Sequence, residues 1–135
     1  MIDSHLRENE KIMYADLAKE AITQGRGIYA GWLKRSEGYE CIYIGKAGNL
    51  HKRIRSHYSG QRGSDQFCLY LFDSYVKVTV DGIGADLSKQ LNQLTKQWAR
   101  DNILFSYVEF TDENISETEE EKKFRKVWQP TLNPL

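Results

Sequence analysis

Apolar positions recur along the chain with two periods, one helical and one alternating. Between Lys11 and Thr23, Ile12, Leu17, Ala18, Ala21 and Ile22 fall at mostly helical spacings, with Gly25 and Gly27 behind them as breakers. The pattern predicts an amphipathic helix ahead of the first strand. Residues 27–33 and 39–45 are rich in aromatic and branched side chains and flank the polar stretch Lys34–Gly38, which predicts an antiparallel hairpin. Alternation sets Ile28, Ala30 and Trp32 on one face and Tyr29, Gly31 and Leu33 on the other. On the second strand Ile42 and Ile44 oppose Cys41 and Tyr43. With the turn centred near Ser36, Tyr29 stands directly across from Tyr43, and the two phenols share one patch.

Asn49 is an N-cap residue for a helix whose buried stripe is Leu50, Ile54 and Tyr58, and Arg53 and His57 form a second i, i+4 pair at its edge. The segment Gln66–Val80 reads as a helix carrying Phe67, Tyr70 and Leu71, then a short extended piece in which Val76, Val78 and Val80 alternate. Leu87, Leu91, Leu94 and Trp98 mark an amphipathic helix ending near Asp101, its stripe read as core. Leu104–Phe110 is a third strand. A last helix runs from about Ser116 to Trp128, is stopped by Pro130, and buries Phe124, Val127 and Trp128. The expected fold is α+β: a small three-stranded antiparallel sheet, made of the hairpin and the third strand, flanked by helices, with an extra N-terminal helix. All 135 residues are expected in one domain, residues 1–24 as a helical extension and 25–135 as the functional module.

Composition narrows the class. Hydrophobic residues are 40% and charged residues 28%, which excludes disordered and fibrous chains. No apolar run approaches a membrane span, and the charged residues 1–10 do not read as a signal peptide, so the expected location is cytoplasmic with no membrane partner. Cys41 and Cys68 have no CxxC or Cys/His companion, which argues against a disulfide framework or a zinc site. The net charge of zero conceals an uneven distribution. From Gly25 to Arg62 eight basic residues face two acids, a local net of plus six, whereas from Asp101 onward eight acids face four basic residues, a net of minus four. A basic stretch beside an acidic one is either a phosphate-binding surface next to a cation site or two solvated faces that offset each other.

Glu121 lies three residues before Phe124 and seven before Trp128, so it points toward the body of the protein, while Glu119 points to solvent and Glu120 lies between. An inward carboxylate either pairs with an arginine or lysine or binds a cation. The bland alternatives elsewhere are cross-strand packing for Tyr29 and Tyr43 and a solvated helix edge for Arg53 and His57. Nothing marks His5 or His51 as a ligand.

Taken together, Gly27-Ile28-Tyr29, Tyr43-Ile44-Gly45, Lys46, Asn49-Leu50, Arg53 and His57 resemble the signature of the GIY-YIG nuclease superfamily. Both tripeptides are intact, and Arg53 follows Gly45 by eight positions. Glu121, Pro130 and Asn133 resemble the series that closes many members, with twelve residues from the glutamate to the asparagine. The spacer of 13 residues between Tyr29 and Tyr43 is slightly long, as a longer hairpin tip would make it. The stretch from Ser64 to Asp73 is similar to compact bacterial members that are little more than the nuclease module.

The resemblance implies a metal-dependent endonuclease acting on DNA and leaving a 5'-phosphate and a 3'-hydroxyl. It implies catalytic roles for Tyr29, Tyr43, Arg53, His57 and Glu121, with Glu121 holding Mg2+ or Mn2+ and Glu117 as its runner-up. It also implies substrate contacts from Lys46, Lys52, Arg55, Arg62 and Asn133. Specificity is expected from loops, the N-terminal helix, a homodimer partner or a host complex. Two other readings stand beside it: a binding module of the same fold that does not turn over, and an assembly protein using the Leu87–Trp98 helix face.

Overall fold

The computed structural model describes residues 2–17, 21–59, 66–76 and 88–133. The chain opens with helix α1 (Ile2–Glu8) and a two-residue strand β1 (Ile12–Met13), followed by a 3-10 turn over Tyr14–Asp16. The hairpin is β2 (Gly27–Arg35) and β3 (Gly38–Ala47). Helix α2 (Leu50–Ser56) runs into a 3-10 turn at His57–Ser59, and α3 (Gln66–Leu71) continues as a π-helical turn over Phe72–Val76. Helix α4 (Ser88–Asn102), strand β4 (Ile103–Glu109) and helix α5 (Glu117–Trp128) complete the order.

The sheet has four strands rather than the expected three, in the order β1-β4-β2-β3, and each neighbouring pair is antiparallel. The extra strand comes from the segment read as a helix. Lys11–Thr23 forms no α-helix in its described part; Ile12 and Met13 pair with Phe105 and Leu104 instead. The physical reason is tertiary: the outer edge of β4 offers unpaired backbone groups, and a short strand satisfies them while Tyr14 and Leu17 still reach the core. Ala18 lies outside the described residues.

The hairpin register also departs from expectation. The turn is Ser36–Glu37, closed by Arg35 opposite Gly38, whose φ of 129° suits glycine. A bulge opposite Gly31/Trp32 then inserts Ile42, so Ile42 joins Tyr43 on the Tyr29 side and Cys41 packs on the Ile28 side. Tyr29 consequently stands across from Gly45, and Tyr43 across from Gly31. The phenols meet diagonally, with ring centroids 6.1 Å apart. A Cβ at Gly45 would fall onto the Tyr29 ring, so the second tripeptide ends in glycine to let that ring cross β3.

Each sheet face carries a core. Tyr29, Leu33 and Phe105 pack with Leu50 and Ile54 of α2, Phe67, Cys68 and Leu71 of α3, and Ala99 of α4. On the other face Ile28, Ala30, Trp32, Ile44 and Leu104 pack with Leu6 of α1 and Phe124 of α5. Leu91 is buried beside Phe72, with Leu94 and Trp98 packed against them, so this part of the expected leucine stripe is core; Leu87 lies outside the described residues.

Helix α2 begins where Asn49 accepts from the Lys52 amide, as the sequence predicts. Helix α5 begins at Ser116, which accepts from the Glu119 amide, and ends at Gln129 in the left-handed region just before Pro130. Phe124 is buried and Trp128 half-buried, but Val127 is 71% exposed, against expectation. At 100° per residue the inward arc runs through Phe124 and Trp128 toward Glu121, and Val127 falls on the far side of Phe124. The described part of Gln66–Val80 is helical to Val76, so Val76 closes a helical turn instead of opening the extended piece expected at Val76, Val78 and Val80; Val78 and Val80 lie outside the described residues. No described helix is long and apolar enough to cross a membrane.

Candidate active site

Strand β3 is an edge of the sheet, and helix α5, from the layer on one face, meets residues of the other face around that edge. A cavity of about 250 Å³ opens there, lined by Tyr29, Tyr43 and Lys46 from the hairpin, Arg53 from α2, Gln66 and Tyr70 from α3, Glu121 and Arg125 from α5, and Asn133.

Asn133 is built into the edge. Its side-chain oxygen accepts from the Ile44 amide at 2.7 Å and its amide donates to the Ile44 carbonyl at 2.9 Å, while the Leu132 amide donates to the Ile42 carbonyl. The segment after α5 therefore satisfies the bulged edge of β3 much as another strand would, and it holds Tyr43 in place from outside.

The floor of the cavity is aromatic. Tyr29 is fully buried, and its hydroxyl lies 2.7 Å from Nε2 of His57, itself fully buried, so the solvated-edge alternative does not hold for this histidine. The His57 ring lies parallel to Phe105, with centroids 5.6 Å apart, and is packed by Phe67 and Tyr43. Hydroxyl and imidazole are thus held at hydrogen-bond distance among packed rings.

Glu121 reaches the cavity with its side chain 15% exposed, facing Arg125 one turn on at 3.7 Å. The pairing alternative is thus realised, at a separation longer than a charge-assisted hydrogen bond. Glu117 lies 3.2 Å from Arg26, whose guanidinium also donates to the Ile115 and Asp112 carbonyls. Its carboxyl is held below the usual range first by its own backbone amide and then by Arg26, against the opposing effect of burial. Glu120 does not line the cavity, and its Oε2 is shielded from solvent with no hydrogen-bond partner among the described residues.

One carboxylate in a polar cavity is a donor set that fits a small hard cation keeping most of its water, and Glu121 is the carboxylate that lines this cavity. Among the described residues no three His, Cys, Asp or Glu side chains cluster as an all-protein cage would require. Burial pushes the Cys41 thiol up to about 12, leaving it protonated and inert.

The other expected contacts divide. Lys46 donates to Thr118 of α5 at 2.8 Å and, with Arg53, also lines a second, open groove of about 400 Å³ that includes Lys52 and Ser56. The first amides of α2 are already used: those of Leu50 and His51 donate to the Gly25 and Thr23 carbonyls, so the charge of this groove comes from side chains. Arg55 lines neither cavity; it donates to the Leu17 carbonyl and to Nε2 of His51. Arg62 lies outside the described residues. Gln66, Tyr70 and Arg125 were not anticipated as lining residues. Their signals were the i, i+4 spacings Gln66–Tyr70 and Glu121–Arg125, which place each pair on one helix face.

A family model described as the GIY-YIG catalytic domain matches residues 31–134, beginning two residues after Tyr29. No curated protein matches the chain.

Proposed function

The chain belongs to the GIY-YIG catalytic-domain family, a nuclease superfamily, and from that premise we propose that it is an endonuclease hydrolysing DNA phosphodiester bonds with Mg2+ or Mn2+. The observation that carries this reading is the convergence on one cavity of the Tyr29–His57 pair, Arg53, Lys46 and Glu121.

Hydrolysis requires an aligned oxygen nucleophile, stabilisation of charge on the phosphoryl oxygens and relief of charge on the leaving oxygen. Arg53 lays a planar multi-donor cation on the phosphate, and Lys46 adds a second positive charge. Tyr29 orients the attacking water and takes its proton. A free phenol, with a pKa near 10, is a weak base at neutral pH, so it needs a group that accepts its own proton. His57, at 2.7 Å, is that group. Tyr43 completes the hydrogen bonding around the phosphate, and Asn133 fixes the β3 edge that carries Tyr43. Glu121 holds the divalent cation, which when bound supplies Lewis-acid polarisation of the phosphate. The substrate strand continues from the cavity into the groove of Lys52 and Ser56, with affinity that falls as salt rises.

The test is cleavage of plasmid and single-stranded DNA with Mg2+ or Mn2+ at low and moderate salt, comparing wild type with Arg53→Ala and Glu121→Gln. Metal-dependent cutting lost in both variants supports the reading. Activity that survives Glu121→Gln moves the cation to another carboxylate. Salt-sensitive binding without cutting by any version favours a binding module.

A further inference from the structure

The N-terminal strap, residues 12–17, precedes the residues matched to the family, and it is linked to His57 by two routes, one direct and one through Phe105. Helix α2 gives way to a 3-10 turn at His57, which leaves the His57 carbonyl to be satisfied from outside the helix. Tyr14, 1% exposed, supplies the bond: its hydroxyl donates to the His57 carbonyl at 2.7 Å, and Cys68 Sγ donates to the same oxygen at 3.5 Å. The Tyr14 ring stacks on Tyr58, the next residue, with centroids 5.5 Å apart. The second route is indirect and leads to the imidazole side through Phe105. Ile12 of β1 pairs with Phe105, the ring that lies parallel to His57. Arg55 closes the arrangement by donating to the Leu17 carbonyl at 3.2 Å, so the far end of the strap is tied back to α2.

We infer that the 12–17 strap is a positioning element for the reaction, and that Tyr14 acts through the His57 backbone to aim the imidazole at the Tyr29 hydroxyl. Tyr14 touches neither cavity and is a positioning residue. A side chain that serves only the core would need its ring buried; Tyr14 instead spends its buried hydroxyl on the one carbonyl whose residue carries the proton acceptor. The activity arm of this inference rests on the nuclease reading above.

Tyr14→Phe keeps the ring and its stack and removes only the donor. In the full-length protein it is expected to lower kcat about 5- to 20-fold with KM within twofold, to shift the limb of the pH–rate profile that reports the Tyr29–His57 pair, and to move the imidazole nitrogen resonances of His57 in NMR. Unchanged His57 resonances and an unchanged pH profile in a folded variant overturn the inference, even if the melting temperature falls, because a purely structural tyrosine has that signature. If Tyr14→Phe does not fold, Ile12→Ala loosens the other route and is judged by the same criteria. If wild type cuts no DNA, the nuclease reading fails by itself. The His57 resonances, which need no substrate, then decide the strap: moved resonances support it and unmoved ones overturn it.

Discussion

The two faces of the sheet each bury a short chain of polar groups among aromatic rings, and the two chains end differently. On the α1/α5 face, the Trp32 indole donates to Ser106 Oγ at 2.8 Å and Ser106 donates to the Leu6 carbonyl at 2.7 Å. Each donor has an acceptor, the last acceptor is backbone, and the chain stops inside the protein. On the α2/α3 face, Tyr14 donates to the His57 carbonyl, and the His57 ring meets Tyr29. That chain ends at a cavity with Arg53 and Glu121 in its wall. Burial and hydrogen bonding are alike on the two faces; what differs is whether the last group faces another protein atom or a space that a ligand can fill. A closed chain pins α1 to the sheet, and the open one leads to the cavity.

Substitutions on the two faces should therefore fail in different ways. The largest effect is expected at the open end: Glu121→Gln lowers cleavage about a thousandfold and Arg53→Ala about 100- to 1000-fold, with melting temperatures close to wild type in both. Thermal unfolding measured beside the cleavage assay separates lost chemistry from lost fold, and a matching fall in stability would break the comparison. Next comes Gly45→Ala, which forces a methyl group onto the Tyr29 ring. It should cost about 2–3 kcal/mol in denaturant unfolding and also depress activity, because the phenol must move away from His57.

Ser106→Ala, on the closed face, is expected to cost about 1–2 kcal/mol by leaving the Trp32 N–H and the Leu6 carbonyl unpaired, with kcat unchanged at temperatures well below melting. A large drop in kcat there would show that the two faces are coupled. The smallest effect is expected at Glu117. Its folded-state pKa is depressed, so its contribution to stability is present above the ordinary glutamate range and fades as pH falls through the depressed value. Glu117→Gln should therefore differ from wild type slightly in denaturant midpoint near neutral pH, and the difference should vanish in acid. The pair sits at the surface, where solvent screening keeps the effect small.

Legibility from sequence follows the range over which each feature is decided. The Asn49 cap, the start of the last helix near Ser116, the hairpin, the third strand and the inward placement of Glu121 depend on residues close to one another in the chain, and the pattern shows them. Val127 shows the limit of that method: helical spacing narrows the buried face to an arc, and only the neighbour packed on it selects which edge of the arc is covered. The helix expected over Lys11–Thr23 shows a different limit. Its apolar spacing is compatible with a helix, but the open edge of β4 and the carbonyl of His57 offer Ile12 and Tyr14 partners that lie about ninety and forty positions away.

By itself, then, the sequence determined the α+β class, the order of most elements and most of the side chains that line the cavity. Those follow from local periodicity, capping and the spacing of two tripeptides and an arginine. Tertiary structure alone decided the diagonal meeting of Tyr29 and Tyr43, through a two-residue turn and a bulge at Ile42 that set the register. It also separated carboxylates on a single helix, committing Glu117 to Arg26 and leaving Glu121 at the cavity. The physical reason is the same in both cases: a one-residue slip or a neighbouring cation changes what a side chain faces without changing the local pattern that places it.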